Sequence, residues 1–135
     1  MIDLETVKRW ALEEISKELE GGSFVYKSSE RLGGPPPLCE YVEMDLDSNG
    51  QVVPSCLIGR MLLNNGVVSV DDLLEGDNNH TSVRNLTREL DIEVEHGAGD
   101  FLVALQRKQD DGQPWGLAYE SAVYFAEAIG DRRHR

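Results

Sequence analysis

A continuous apolar stretch at residues 52–63, VVPSCLIGRMLL, most constrains how this chain can fold. Its two valines are typical of a strand, and Ser55 directly after Pro54 is a suitable helix N-cap. The stretch therefore predicts a strand that passes into a helix over residues 56–63. Because this helix has no wide polar face, we expect it to be buried among the other elements.

Arg60 is the one charged residue of this helix. An arginine on a buried helix must reach the surface with its long stem or pair with a carboxylate, since an unpaired buried charge is costly. A bond to a carboxylate of a neighbouring helix would identify the stretch as scaffold, whereas an open cleft in front of Arg60 would weaken the case for a non-enzymatic protein. We predict a structural hub around this helix, formed by Cys56, Leu57, Ile58, Arg60, Met61 and Trp115.

Hydrophobic periodicity and turn residues predict the remaining elements. A hairpin is expected from the alternation at 38–46, the turn at 47–50 with its Asn-Gly pair, and the return strand at 51–53. Residues 23–27 have the composition of a further short strand. Helices are expected at 4–20, 70–75, 81–90, 99–110 and 114–129, and the helix at 81–90 should be capped by His80 or Thr81.

The predicted fold is α+β and mainly helical, with five or six helices around a small antiparallel hairpin or three-stranded sheet. The last helix carries a periodic set of apolar residues that we expect on its core side, and it should end at Gly130. That set comprises Leu117, Ala118, Ala122, Phe125 and Ile129. Residues 1–130 should form a single globular domain, with 131–135 as an exposed tail.

The balance of charges limits the possible partners. The chain has 135 residues, 25 Asp and Glu against 13 Lys and Arg, and a formal net charge of -12. Such a surface repels phosphate backbones, so direct binding of DNA or RNA is disfavoured. No apolar run approaches the roughly 20 residues of a membrane span, and the N-terminus lacks a signal-peptide core. These features predict a cytoplasmic protein that does not contact a membrane.

Residues 45–52 match the front of an EF-hand calcium loop, with Asp45, Asp47 and Asn49 as candidate ligands. The final bidentate glutamate of that loop would fall at Cys56, and a thiol is a poor ligand for calcium. The preceding residues also predict a strand where an EF-hand requires a helix. Because any hairpin turn selects Asp, Ser, Asn and Gly, we interpret the segment as a turn and expect no metal or cofactor.

The two cysteines and three histidines give no clear catalytic or zinc pattern. Cys39 and Cys56 lack partners at zinc spacing, and although a hairpin could bring them together, free buried thiols are the expected state. A nucleophilic cysteine needs a basic neighbour, and nothing in the sequence connects His80, His96 or His134 with either thiol.

Residues 56–74 also have the helix, turn, helix outline of a DNA-binding motif. The second helix, however, carries Asp71, Asp72 and Glu75 where a DNA-reading helix needs basic or amide side chains. We interpret the outline as two packed helices.

Three groups of residues carry a resemblance to a known group of proteins: Cys39-x-Tyr41; residues 54–60 with Gly66-Val67; and residues 106–116, QRKQDDGQPWG. With these motifs the chain resembles small uncharacterised proteins of actinobacteria and actinobacteriophages. The resemblance implies a hairpin leading into a helix and a phage-encoded accessory protein, but no activity. In residues 106–116 we expect one helix to end, Gly112 to turn the chain, Pro114 to start the next helix, and Trp115 to pack at the corner.

These observations favour a non-enzymatic acidic protein that binds a host or partner protein. The first alternative is a mimic of nucleic-acid charge that inhibits a DNA-binding enzyme, which would need phosphate-like rows of carboxylates. The second is a small thiol or hydrolytic enzyme, which would need a pocket where a cysteine or histidine meets another polar group.

Overall fold

A computed structural model describes residues 1–26, 40–45 and 50–133 of the chain. This part contains six α-helices, two β-strands and two 3-10 turns, at Gly21–Ser23 and Asn78–His80. The predicted α+β, mainly helical fold is confirmed. In chain order the helices and strands are α1 (Leu4–Lys17), β1 (Val42–Asp45), β2 (Gln51–Pro54), α2 (Leu57–Asn64), α3 (Val70–Leu74), α4 (Val83–Glu89), α5 (His96–Asp110) and α6 (Trp115–Arg133).

The first helix starts as predicted and ends earlier than predicted. The Asp3 carboxylate accepts the Thr6 amide hydrogen bond at 2.8 Å. Hydrogen bonds from the Thr6 side chain and from this amide hold the pKa of Asp3 below its ordinary value. At the other end, Glu18 has an extended backbone and leaves the helix. Glu18 does so because its carboxylate pairs with Arg60 of α2. A contact 42 residues away in sequence thus decides where α1 ends.

The predicted hairpin is present, but the predicted strand at 23–27 is wrong. β1 and β2 pair antiparallel, with Val42 opposite Pro54 and Asp45 opposite Gln51. Gly50 has φ +79°, and residues 46–49 of the turn lie outside the described residues. Residues 21–23 form a 3-10 turn and residues 24–26 no regular structure. The aromatic residue here, Phe24, packs on Trp115 instead of joining the sheet.

Helix α2 lies in the core, against α1, α5 and β2. Its N-cap is Cys56, one residue later than predicted, and five of its eight residues are buried. A Cβ atom on Gly59 would lie 2.1 Å from the carbonyl oxygen of Tyr41, so only a glycine lets α2 approach the backbone of this residue, directly before β1, so closely. The same carbonyl accepts the Ser55 amide hydrogen bond at 2.9 Å.

Residues 56–74, which have the outline of a DNA-binding motif, form α2 and a short α3. This second helix has only five residues, and the Asp72 carboxylate accepts the Ser69 amide in a capping box. Helix α4 follows with Ser82 as its N-cap, so the predicted cap at His80 or Thr81 is wrong. None of the helices in the described part of the chain is long and apolar enough to cross a membrane.

The two C-terminal helices pack against each other along much of their length. Helix α5 begins three residues before its predicted start, and α6 continues to Arg133, so the predicted helix end at Gly130 is wrong. The prediction for the core side of α6 holds only in part. Ala118 and Ala122 are buried, whereas Leu117 and Phe125 are exposed.

Candidate functional site

Arg60 is held by contacts on three sides. Its guanidinium pairs with Glu18 and donates from Nε to the Ser55 carbonyl at 3.1 Å. The guanidinium carbon also lies 4.9 Å from the ring centre of Trp115 and 5.7 Å from that of Phe24, within cation–π distance. The side chain is 24% exposed. Arg60 thus joins α2 to the end of α1 and the start of α6.

Trp115 is the largest of the fully buried side chains in the described residues. Its ring centre lies 4.4 Å from that of Phe24, and its backbone amide donates to the Phe24 carbonyl at 2.8 Å. The indole Nε1 has no hydrogen-bond partner among the described residues. The contacts of the ring show that it serves in packing and in holding Arg60. The buried indole N–H, without an acceptor in the described part of the chain, is a cost of this placement.

A shallow groove lies beside Arg60, with Glu20, Tyr26, Glu43 and Ser55 among its lining residues. The Tyr26 and Ser55 hydroxyls are 3.0 Å apart, and burial raises the pKa of Tyr26 above its ordinary value. Arg60 therefore meets both conditions set out from the sequence: it is bonded to a carboxylate and also borders a groove. Its charge is engaged by Glu18, and this supports a scaffold role.

The other hub residues are core residues. Cys56, Leu57, Ile58 and Met61 have no exposed surface. Cys56 is disulfide-bonded, so the expectation of a free thiol is wrong; Cys39, the second cysteine of the sequence, lies outside the described residues. In this state Cys56 offers no thiolate for catalysis.

Two glutamines of residues 106–116, Gln106 and Gln109, cap other helices. Gln109 accepts the Leu57 amide at the start of α2 through Oε1 at 2.6 Å, and Gln106 accepts the Val83 amide at the start of α4 at 2.8 Å. Gln106 also donates to the Tyr41 hydroxyl at 2.7 Å. Both side chains are buried. The motif is therefore structural, because each oxygen satisfies a helix N-terminal N–H that has no partner within its own helix.

The calcium candidates and two of the histidines form no site in the described residues. Asp45 lies in β1, whereas Asp47 and Asn49 fall outside the described residues. No group of three His, Cys, Asp or Glu side chains suited to a metal occurs in the part of the chain that the structure describes. His80 is exposed at the end of a 3-10 turn, and His134 is outside the described part.

His96 lies at a cavity of about 260 Å³ between α4 and the start of α5. Its polar lining includes Arg84 and Arg88 of α4 and Asp100 of α5, and apolar side chains form the remaining wall. Arg84 Nη2 is 3.7 Å from Asp100 Oδ1, and Asp100 is buried. Sequence reasoning missed this site because its residues belong to two helices that show no shared motif.

A second feature missed from the sequence is an apolar surface on α6. Leu117, Ser121, Tyr124 and Phe125 occur at spacings of four, three and one, which places them on one face of the helix. We call these four residues the α6 outer face. The alanines at 118, 122 and 126 provide the signal that could have revealed it, because small residues at this spacing mark the side that packs closely.

Comparison of the chain with protein-family models, with curated proteins and with solved structures found no match.

Proposed function

We propose that this protein is a non-enzymatic accessory protein that binds a partner protein, and that the α6 outer face is its main contact surface. The observation that carries the proposal is the exposure of three large apolar side chains on this face: 55% for Leu117, 77% for Tyr124 and 43% for Phe125. Clustered exposed apolar residues with a polar surround mark protein-binding sites more often than single ones do.

The composition of this surface suits docking into an apolar groove. None of its four residues is charged, and the opposite side of α6 is already packed into the core through its alanines. Helices that bind grooves present anchors at spacings of three, four and seven residues, as Leu117, Ser121 and Tyr124 do. Tyrosine is also among the residues that contribute most to binding energy at interfaces.

Charge indicates what surrounds the groove on the partner. Glu120 and Glu127 on α6 are exposed and lie to one side of the outer face, and the whole chain has a net charge of -12. Opposite charges around an apolar contact accelerate association, whereas two copies of this chain would repel each other. We therefore expect a different protein with a basic rim. The resemblance to proteins of actinobacteria and their phages points to a host protein.

The alternatives have weaker support. A charge mimic needs unbroken rows of carboxylates, but acidic residues on α1 pair with Lys8, Arg9 and Lys17 on the same helix. Two further carboxylates, of Glu18 and Asp100, pair with arginines. A thiol enzyme would need a reactive cysteine, and Cys56 is buried in a disulfide.

The test uses the tagged full chain as bait in a nuclease-treated actinobacterial lysate, with captured proteins quantified by mass spectrometry. The double variant Tyr124→Ser, Phe125→Ser should reduce capture of the specific partner at least about tenfold, since truncating interface aromatics commonly costs about 2 kcal/mol or more. Leu74→Ser is the matched control, because Leu74 is 53% exposed but lies on α3. It should leave capture unchanged.

Three results would contradict the proposal. Equal capture by the double variant and the wild type would exclude the α6 outer face. Release of the partner by excess duplex DNA would favour the charge mimic. A wild-type dimer in sedimentation that becomes a monomer in the double variant would identify this face as a contact between two copies of the chain. Thermal melts of all variants establish that each is folded.

A further inference from the structure

We propose that the cavity between α4 and the start of α5 binds a small carboxylate with a short apolar body. The cavity has a volume of about 260 Å³, just below the roughly 300 Å³ at which drug-sized pockets begin, so it suits a ligand of few atoms. This inference is independent of the partner-binding proposal, since neither Tyr124 nor Phe125 lines the cavity.

Two arginines supply donors for a carboxylate. Arg84 and Arg88 are four residues apart on α4, so both side chains extend from one side of the helix into the cavity lining. Arg84 forms an ion pair with Asp100 at 3.7 Å through Nη2, and Arg88 donates one hydrogen bond to Asn85, so each contact engages only part of its guanidinium. A guanidinium has five N–H donors in a planar fork that matches a carboxylate. Each arginine therefore keeps donors for a ligand.

The apolar wall explains why the ligand should also carry hydrocarbon. Val83 and Leu102 are buried beneath the cavity, and Ile92, Val94 and Val103 are partly buried around it. A bare anion would leave this wall in contact with water, whereas an aliphatic chain would cover it at a gain of about 25 cal/mol for each Å² buried. A branched chain of four or five carbons is the simplest body that meets the wall while its carboxylate meets the arginines.

The balance of charges favours a carboxylate over a phosphate. The cavity lining contains two positively charged residues, Arg84 and Arg88, and two negatively charged residues, Glu95 and Asp100. The formal charges of these four residues cancel, within a chain of net charge -12. A dianion would be poorly compensated there, whereas a single carboxylate can form a bidentate pair with one guanidinium. His96 at the rim adds a further polar group that can donate a hydrogen bond.

The test is a titration of the ¹⁵N-labelled full chain followed by amide chemical shifts. Four probes separate the possible ligand classes: 4-methylpentanoate, leucine, 3-methylbutylamine and inorganic phosphate. We expect 4-methylpentanoate to give saturable shifts at Thr87, His96 and Gly99, with a dissociation constant on the order of 1 mM for so small a ligand. Comparison with leucine measures the effect of an added ammonium group beside the carboxylates of the cavity. Titrations with 3-methylbutylamine and with phosphate should not reach saturation.

Two kinds of variant test the assigned contacts. Arg88→Gln should weaken binding at least about tenfold by removing a charged donor, and the exposed Arg9→Gln on α1 should not change it. Gly99→Leu should abolish binding by filling the cavity while both arginines remain. A Cβ atom at Gly99 meets nothing closer than 3.9 Å, and a thermal melt establishes that the variant with the larger side chain is folded.

The proposal fails if 4-methylpentanoate produces no saturable shift, or if binding survives both Arg88→Gln and Gly99→Leu in folded protein. Tighter binding of 3-methylbutylamine than of 4-methylpentanoate would show that the cavity binds a cation, and would assign recognition to the carboxylates of Asp100 and Glu95. Tighter binding of phosphate would show that the apolar wall does not contribute.

Discussion

Replacement of Gly59 by alanine tests the close packing of α2 against the backbone of Tyr41, the residue before β1. The added Cβ atom would lie 2.1 Å from the Tyr41 carbonyl oxygen and 2.8 Å from two further backbone atoms of Tyr41. Contacts between unbonded heavy atoms of this kind are normally at least about 3 Å, so the two backbones must separate by about 1 Å. Neither backbone can move alone, because Tyr41 and Ser55 are joined by a hydrogen bond of 2.9 Å.

The expected loss follows from three contributions. Overpacking at a buried site costs about 1–3 kcal/mol. The two hydrogen bonds between residues 40–41 and residues 55–56 contribute about 0.5–1.5 kcal/mol each and would lengthen beyond their useful range. Alanine regains up to about 1 kcal/mol of helix propensity. The net loss in free energy of unfolding is therefore about 1–6 kcal/mol.

Urea unfolding followed by circular dichroism measures this loss, and Gly99→Ala is its matched control. The same substitution at Gly99, also inside a helix, meets nothing closer than 3.9 Å and should stabilise the protein by up to about 1 kcal/mol. The reasoning is refuted if Gly59→Ala is as stable as the wild type, or if both substitutions change stability in the same direction.

Three further predictions concern buried polar groups. Gln109→Ala should lower the free energy of unfolding by about 1–3 kcal/mol, because the buried Leu57 amide loses its 2.6 Å acceptor. Urea unfolding measures this loss, and Gln51→Ala, at an exposed glutamine, should have little effect. Reduction by dithiothreitol should lower the melting temperature, because the disulfide of Cys56 is lost and such a bond typically contributes about 2–4 kcal/mol to the free energy of unfolding. Cys56→Ser should remove the sensitivity to reductant. Burial raises the pKa of Tyr41 far above its ordinary value, so the native state keeps a proton that the unfolded state loses above about pH 10. The resulting stability is complete below that pH and declines as the pH rises further; urea midpoints at about pH 9 and about pH 11 should show it, and the decline should be smaller in Tyr41→Phe.

The elements with strong local signals could be predicted from the sequence. Helix α1 has both an aspartate cap and a regular apolar repeat, and the hairpin follows from alternation on either side of an Asn-Gly pair. The errors occur where a distant contact overrides the local preference. Glu18 leaves α1 for Arg60, and Phe24 leaves the predicted strand for Trp115. Neither partner is indicated by the residues next to it.

The two faces of α6 show why an apolar pattern alone does not predict which of its residues are buried. Leu117, Ala118, Ala122 and Phe125 all fit a helical repeat, yet the alanines are buried and the two large side chains are exposed. The reason is steric: after Trp115 at its start, α6 packs closely on its neighbours, and small residues, Ala118, Ala122 and Ala126, occupy the buried side. At its first turn, Gly116 approaches Gly22 so closely that a Cβ atom would lie 3.0 Å from the Gly22 carbonyl oxygen. Residue size thus distinguishes the two faces where hydrophobicity does not.

The stretch at residues 52–63 fills the core, but α5 supplies the polar contacts that position it. Helix α2 begins without a strong cap of its own, since the Cys56 sulfur, which accepts the Gly59 amide hydrogen bond at 3.4 Å, is a weak acceptor. Its first amide depends on Gln109, and the first amide of α4 depends on Gln106 one turn earlier on the same helix. Because both glutamines are buried on α5, a shift of this helix would uncap α2 and α4 together. The same helix forms one wall of the cavity that contains Arg84 and Arg88, so its position determines both the core and the proposed ligand site.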